Sequence, residues 1–283
     1  MTDAVGLRAD SPVYHVPLER LPEYRGRRVI VRSGEPRALI ERIGTADFDS
    51  VVYVQLNALP SGSDALVHWA VGLGIELVLD NPADDFARLY EYARLLDNHP
   101  VRVMLPVEAG FEKAVKLASS LQFDVRLQIG QPAPQLIEPL ARLLDDYLHR
   151  PTVERPIEYF HSVLLGLCYQ QPISLWAIQE EDPALVCHVD DEGKERFPGR
   201  LIGARVDACP DTFVEQWASR LLHERAECAE CPFSALCRGY FKWPRRDYDC
   251  AGVRTLFRTL QQAAEALRAD LAAIAPTGDV DSP

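Results

Sequence analysis

The chain has 283 residues, of which 47% are hydrophobic and 25% charged, a composition that suits a globular protein with a sizeable core. Its formal net charge of −12, with no long Lys/Arg run to offset it, argues against a nucleic-acid binder. No apolar run is long enough to cross a membrane, and MTDAVGLRADSP lacks the basic-then-apolar pattern of a signal peptide. The expectation is a cytoplasmic chain whose seven cysteines serve as thiols and metal ligands rather than disulfides.

The first 180 residues repeat one pattern, a short β-rich run followed by an amphipathic helical stretch. Strands are predicted over RVIVR (28–32), VVYVQL (51–56), IELVLD (75–80), VRVMLPV (101–107) and DVRLQI (124–129). Helical stretches are predicted over 35–44, 63–74, 83–98, 110–122 and 132–149, where apolar residues recur at helical spacing, as in Phe86, Leu89, Tyr90, Ala93 and Leu96. A sixth strand, ISLWAI (173–178), would complete the series. Val/Ile/Leu-rich strands alternating with helices every 22 to 26 residues indicate right-handed βαβ crossovers and a parallel sheet. Periodicity leaves two α/β geometries open, an incomplete β/α barrel or a doubly wound sheet.

After residue 180 the pattern changes. ALVCHVDDEGKERFPGRL reads as a β-hairpin turning at Asp191–Gly193. A helix follows in DTFVEQWASRLLHER, with Thr212 and Glu215 at capping-box spacing. A cysteine-bearing loop rich in Pro, Gly and aromatics leads to a long closing helix from Val253 to Ala275. The domains expected are a degenerate partial barrel over 1–180, a cluster-binding unit with its C-terminal helix over 181–275, and a disordered tail over 276–283.

The chemistry of the chain is concentrated in ECAECPFSALCRGYFKWPRRDYDC. Here Cys228, Cys231, Cys237 and Cys250 are separated by gaps of two, five and twelve residues. A CxxC pair can reach one metal from a tight turn, and Pro232 and Gly239 keep the following segment out of a regular helix. Four thiolates suit either an iron–sulfur cluster or zinc. The commonest zinc pattern pairs two CxxC knuckles, and the second half here is not a knuckle.

The same residues carry a family resemblance. From about residue 185 to 252 the chain resembles a SPASM domain, the cluster-binding extension of many radical SAM peptide-modifying enzymes. The features in common are the hairpin with its acidic-Gly turn, the IGARVDACPDTFVEQW stretch, CxxCPFSALCRGYF and a downstream cysteine. The resemblance implies that Cys228, Cys231, Cys237 and Cys250 ligate one auxiliary [4Fe–4S] cluster. The family's other auxiliary cluster lacks support, because Arg238, Gly239, Tyr240 and Phe241 follow Cys237 and Gly199 follows Pro198. Cys168, Cys187 and Cys209 read as small apolar residues.

The first half resembles the partial barrel of radical SAM enzymes in layout, but its reactive centre is missing. No cysteine precedes Cys168, so the CxxxCxxC loop that would bind the S-adenosylmethionine cluster is absent. SGEPRAL follows the first predicted strand, and NALPSGSD stands where a Gly-Gly-Glu-Pro type motif would fall. No catalytic residues are assigned. VGLGIE is a helix-to-strand turn, the seven histidines (His68 and His161 within helical patterns) are scattered, and Asp80 and Glu108 read as solvated loop carboxylates.

The function implied is that of a non-catalytic iron–sulfur accessory protein in radical SAM-dependent maturation of ribosomal peptides. Its partner would be a radical SAM maturase, a precursor peptide, or both. Two alternatives stand beside it: a structural metal site (zinc or [4Fe–4S]) in a peptide-binding protein, and an enzyme with other chemistry at the barrel mouth. The contact surface expected is that mouth together with the cysteine loop 238–249, whose Tyr240, Phe241, Trp243 and Tyr248 read equally well as a shield of the cluster from water.

Overall fold

Residues 12–44, 48–150, 155–202, 209–224 and 227–274 of this computed structural model are described, and the 276–283 tail lies outside them. Eight strands form one sheet: β1 Val13–Pro17, β2 Val29–Ser33, β3 Val51–Leu56, β4 Gly74–Val78, β5 Val101–Pro106, β6 Asp124–Gln128, β7 Val186–Val189 and β8 Glu195–Arg196. Their order is β6-β5-β4-β3-β2-β1-β7-β8, with every pair parallel except β7–β8. Five successive crossovers from β1 to β6 step the same way. Right-handed connections that never reverse keep their covering segments on one face, so the fold is singly wound and the doubly wound alternative is excluded.

The α-helices are α1 Pro36–Arg42, α2 Pro82–Asp85, α3 Phe111–Ser120, α4 Pro134–His149, α5 Glu158–Cys168, α6 Leu175–Ile178, α7 Phe213–His223, α8 Ser234–Cys237 and α9 Ala251–Ile274. The five predicted strands match β2 to β6 to within a residue or two at each end. The interior strand β1 is one that the periodicity missed, because five residues (VYHVP) ending in a proline offer too short a pattern. Two predicted helices shrink. In 63–74 only Ser63–Leu66 forms a 3-10 turn, broken by left-handed Ala70 and Gly72. Over 83–98 the chain is α-helical only to Asp85 and 3-10 from Phe86 to Asp97.

ISLWAI is not a sixth strand. It contains the helical turn α6, whose Trp176 is fully buried. The would-be next strand beside β6 is reduced to one bridge, Val125 with Ile157, before α5 begins. The free edge of β6 is instead capped by a side chain. Gln179 accepts from Ile129 N at 2.9 Å and donates to Leu127 O at 3.1 Å, reproducing a strand's pairing with one amide.

The two faces of the sheet differ sharply. Val31, Val54, Leu56, Leu77, Val103, Leu105 and Leu127 point to the helix-covered side and are fully buried. On the other face the register aligns Arg32 with Gln55, Gln55 with Glu76 and Glu76 with Arg102. Glu76 is completely buried and pairs with Arg102 at 2.7 Å and Arg126 at 3.2 Å. Glu180, just after α6, meets the same arginines at 2.9 and 2.8 Å and accepts from Tyr53 OH at 2.8 Å. Burial alone would raise the Glu180 carboxyl, but Arg126 and Arg102 outweigh it and hold the value at about 2. A buried carboxylate costs several kcal/mol unless its partners are in place, so this tetrad fixes where α6 lies.

The hairpin turns as expected, with Gly193 in the left-handed region and β7–β8 antiparallel, but it continues the main sheet beside β1. The capping box does not form. Thr212 bonds Cys209 O and accepts from Gln216, while Glu215 reaches Arg238 at 2.9 Å. The apolar stripe Val253, Leu256, Phe257, Leu260 and Ala264 on α9 is buried, at the spacing of one helical face. Among the described residues no helix is long and apolar enough to cross a membrane.

Two outcomes follow from the polar face. Glu76→Gln removes a carboxylate from two buried arginines and should cost about 3–5 kcal/mol, measured by urea unfolding. Stability should also fall with acid. Burial and then Arg32 push His15 down to about 3, and burial and Arg32 push His188 to about 4. The unfolded chain protonates such groups near ~6.5, so their contribution is complete above that pH and is lost as pH falls through the folded values. The Glu180 contribution is likewise complete above ~4.3 and lost as pH falls through about 2. Urea midpoints between pH 7 and 4 should therefore decline, and less steeply in His15→Gln.

Candidate metal centre

The cysteine segment folds as a series of single turns. Glu227–Glu230 is a 3-10 turn carrying Cys228, and Cys231 N donates back to Cys228 O at 3.3 Å. Helix α8 supplies Cys237 and stops because Arg238 and Gly239 both take left-handed conformations. Gly239 is required there. A Cβ would stand 2.4 Å from Leu221 Cδ1 and 2.9 Å from Trp217 Nε1. Cys250 immediately precedes α9, and its carbonyl accepts from Arg254 N at 2.9 Å.

Cys228, Cys231, Cys237 and Cys250 line one small cavity with Glu227, Lys242 and Arg254, closed on the apolar side by Phe241, Val253 and Phe257. Among the described residues, no three His, Cys, Asp or Glu side chains are placed to hold a single metal ion. A tetrahedral zinc site with bonds of about 2.3 Å needs sulfurs within roughly 4 Å of one another.

The electrostatics of the cavity favour thiolates only when something cationic joins them. Burial first, then the neighbouring thiols, pushes Cys237 up to about 12; burial, then Glu227 and the thiols, pushes Cys250 to about 11, and burial raises Cys228 as well. Lys242 opposes that rise at Cys228 and Cys250. Its ammonium is almost wholly buried, donating to Glu227 at 2.8 Å and to Tyr248 O at 2.6 Å. Arg254 meets the other Glu227 oxygen at 2.8 Å, while its Nε is buried without a hydrogen-bond partner. An unpartnered buried donor beside four thiols, with a second cation in the same wall, suits a metal–thiolate group of net negative charge. Glu227, Lys242 and Arg254 were not legible as a set, although Lys242 and Arg254 flank cysteines in sequence.

Turn hydrogen bonds reach only some carbonyls of the loop after Cys237, and side chains of the neighbouring elements add further donors. Trp176 Nε1 donates to Arg238 O at 3.2 Å and Trp217 Nε1 to Gly239 O at 2.9 Å. Gln131, just past β6, donates to Phe241 O and Arg245 O at 2.8 and 2.7 Å. Arg200 reaches Trp243 O at 2.7 Å and is held by Glu181 at 2.9 Å.

The aromatics of this loop are not a contact surface. Tyr240, Phe241 and Tyr248 are buried, and Trp243 packs edge-on against Phe213 and Trp217 at 5.7 and 5.2 Å. Of these only Phe241 lines the cavity, while Tyr248 OH donates to Pro132 O at 3.0 Å and ties the loop to the segment after β6. Of the other cysteines, Cys168 is buried, Cys187 half-buried on β7 and Cys209 exposed, so the apolar reading does not extend to Cys209. Asp80 and Glu108 are exposed, and His161 bonds Tyr147 OH at 2.9 Å.

No family model, curated protein or solved structure matches the chain. The geometry of the cavity therefore carries the functional reading.

Gly239→Ala should destabilise the lobe by roughly 1–3 kcal/mol through the clash with Leu221 and Trp217, seen as faster metal loss to a chelator. Lys242→Met removes one of the two cations beside the thiols, leaving Glu227 to Arg254 alone, and should likewise weaken metal retention, while far-UV circular dichroism stays unchanged. In metal-free protein at pH 8, Cys209 should alkylate first and Cys237 last, read by peptide mass spectrometry.

Proposed function

We propose that the chain is a non-catalytic iron–sulfur accessory protein in radical SAM-dependent peptide maturation, holding one [4Fe–4S] cluster on Cys228, Cys231, Cys237 and Cys250. The observation that carries this reading is the lining of one cavity by all four cysteines of the CxxC-x5-C-x12-C pattern, with Lys242 and Arg254 in its wall. The singly wound parallel sheet, with β6 left unclosed by a further strand, supports the resemblance to a partial radical SAM barrel, and the C-terminal segment supports the resemblance to a SPASM domain. The absence of cysteine before Cys168 supports the loss of the reactive centre.

Four cysteine ligands leave no open iron position, so such a cluster supplies electron transfer or structural support rather than substrate activation. The chain's own residues then do three things. Lys242 and Arg254 offset thiolate charge, Phe241 and Phe257 exclude water from one side, and the loop carbonyl bonds hold the ligands in place. The partner on this reading is a radical SAM maturase, its precursor peptide, or both.

Anaerobic reconstitution should give about four iron and four sulfide per chain and a broad visible absorbance bleached by dithionite. One zinc per chain with no sulfide would overturn the cluster and leave the structural metal-site reading. The loaded, reduced protein should form no 5′-deoxyadenosine from S-adenosylmethionine above a metal-free control. Cys237→Ser should lower turnover of a partner maturase if the chain relays electrons, and leave it unchanged if the chain only presents peptide.

A further inference from the structure

The polar face of the sheet holds a second group of side chains that the metal centre does not use. Arg32 lies near the C-terminal end of β2, the end where β/α folds bind ligands. His15 on β1 is in register with His188 on β7, and Pro17 with Arg32, so all three side chains project from the same face. The two imidazoles meet edge-on with ring centroids 5.6 Å apart. Each of the three residues keeps part of its surface open to solvent.

Arg32 differs from the other arginines of this face. Arg102 and Arg126 are each paired with Glu76 and Glu180. Arg32 donates to Val189 O, but its Nε is buried with no hydrogen-bond partner, and among the described residues no carboxylate pairs with it. A buried, unpartnered guanidinium donor is costly, and it points to an acceptor that the protein itself does not supply.

The neighbouring imidazole is set up to complement it. Gln55 donates from Nε2 to Glu76 at 2.6 Å, so its Oε1 is left to accept from His15 Nε2 at 2.9 Å. His15 is thereby fixed as the Nε2–H tautomer, and its Nδ1 lone pair has no protein partner among the described residues. His188 makes no ring hydrogen bond among them. Of the nearby carboxylates, Asp191 acts on Arg32 and His188 through space without pairing with either, and the other two are engaged. Asp190 binds Lys194 N and Arg196 at 2.8 and 2.9 Å, and Glu180 is balanced by two arginines.

We infer that Arg32, His15 and His188 form a binding site for a small oxyanion, a carboxylate or phosphate group, on the inner face of the sheet. The guanidinium supplies charge and the free Nε–H, and His188 supplies a ring donor. His15 Nδ1 accepts from the protonated oxygen of a hydrogen phosphate or carboxylic acid. The site stands on different residues from the metal centre and does not depend on which metal that centre holds.

The test is isothermal titration calorimetry of the purified full-length chain with inorganic phosphate and, separately, with acetate. Saturable binding of at least one is expected, and the ratio of the two affinities identifies the preferred group. Arg32→Gln should weaken binding about tenfold or more, as expected for loss of charge-assisted hydrogen bonds. Should that variant fail to fold, Arg32→Lys and His188→Gln serve in its place, each expected to bind several-fold more weakly. No saturable heat with either anion, or unchanged affinity in the variants, would overturn the proposal and leave Nε bound to water only.

Discussion

The structure depends on keeping a buried carboxylate charged. Glu76 has no exposed surface and sits in the middle of a sheet face, where an unpaired carboxylate would cost several kcal/mol. It is affordable only because Arg102 and Arg126 on the next two strands converge on it, and those two cations in turn require Glu180. Glu180 comes from a segment distant in sequence and adopts a left-handed conformation to reach them. The charge balance of one sheet face thereby anchors the α6 segment against the sheet.

That anchoring extends to the metal centre through three consecutive residues. Gln179 caps the free edge of β6, Glu180 completes the charge tetrad, and Glu181 holds Arg200. Arg200 and Trp176 then capture carbonyls of the cysteine loop, while Gln131 at the end of β6 captures two more. A loop of single turns leaves its carbonyls without ladder partners, and each buried one must find a donor. Side chains from the sheet and α6 provide those donors, so the position of the thiols is inherited from the sheet rather than set within the loop.

The sequence patterns were informative where one physical rule acted alone. Runs such as VVYVQL and VRVMLP form β3 and β5 because β-branched and apolar residues fill a sheet buried on its helix side. The reading of ISLWAI as a strand failed because its composition suits a strand equally well, and the outcome turned on Gln179 and Glu180 bonding to β6 and the arginines. The capping box failed for a similar reason, with Glu215 drawn away to Arg238. The aromatics of the cysteine loop looked like a surface because they surround basic residues in a loop, whereas tertiary packing against Trp176, Phe213 and Phe257 buries them.

By itself the sequence determined the α/β alternation, the parallel sheet, the hairpin and the spacing of four cysteines, all of which follow from local periodicity or from residue type. The tertiary structure decided what depends on contacts distant in the chain. It selected the singly wound order over the doubly wound one, added β1 between β2 and β7, and joined the hairpin to the same sheet. It also brought Glu227, Lys242 and Arg254 into the wall of the thiol cavity. On the polar face of the sheet it placed Arg32 beside two histidines, with no carboxylate paired to it among the described residues. Periodicity reports which face a residue occupies, but the charges that share that face are set by strand order and register.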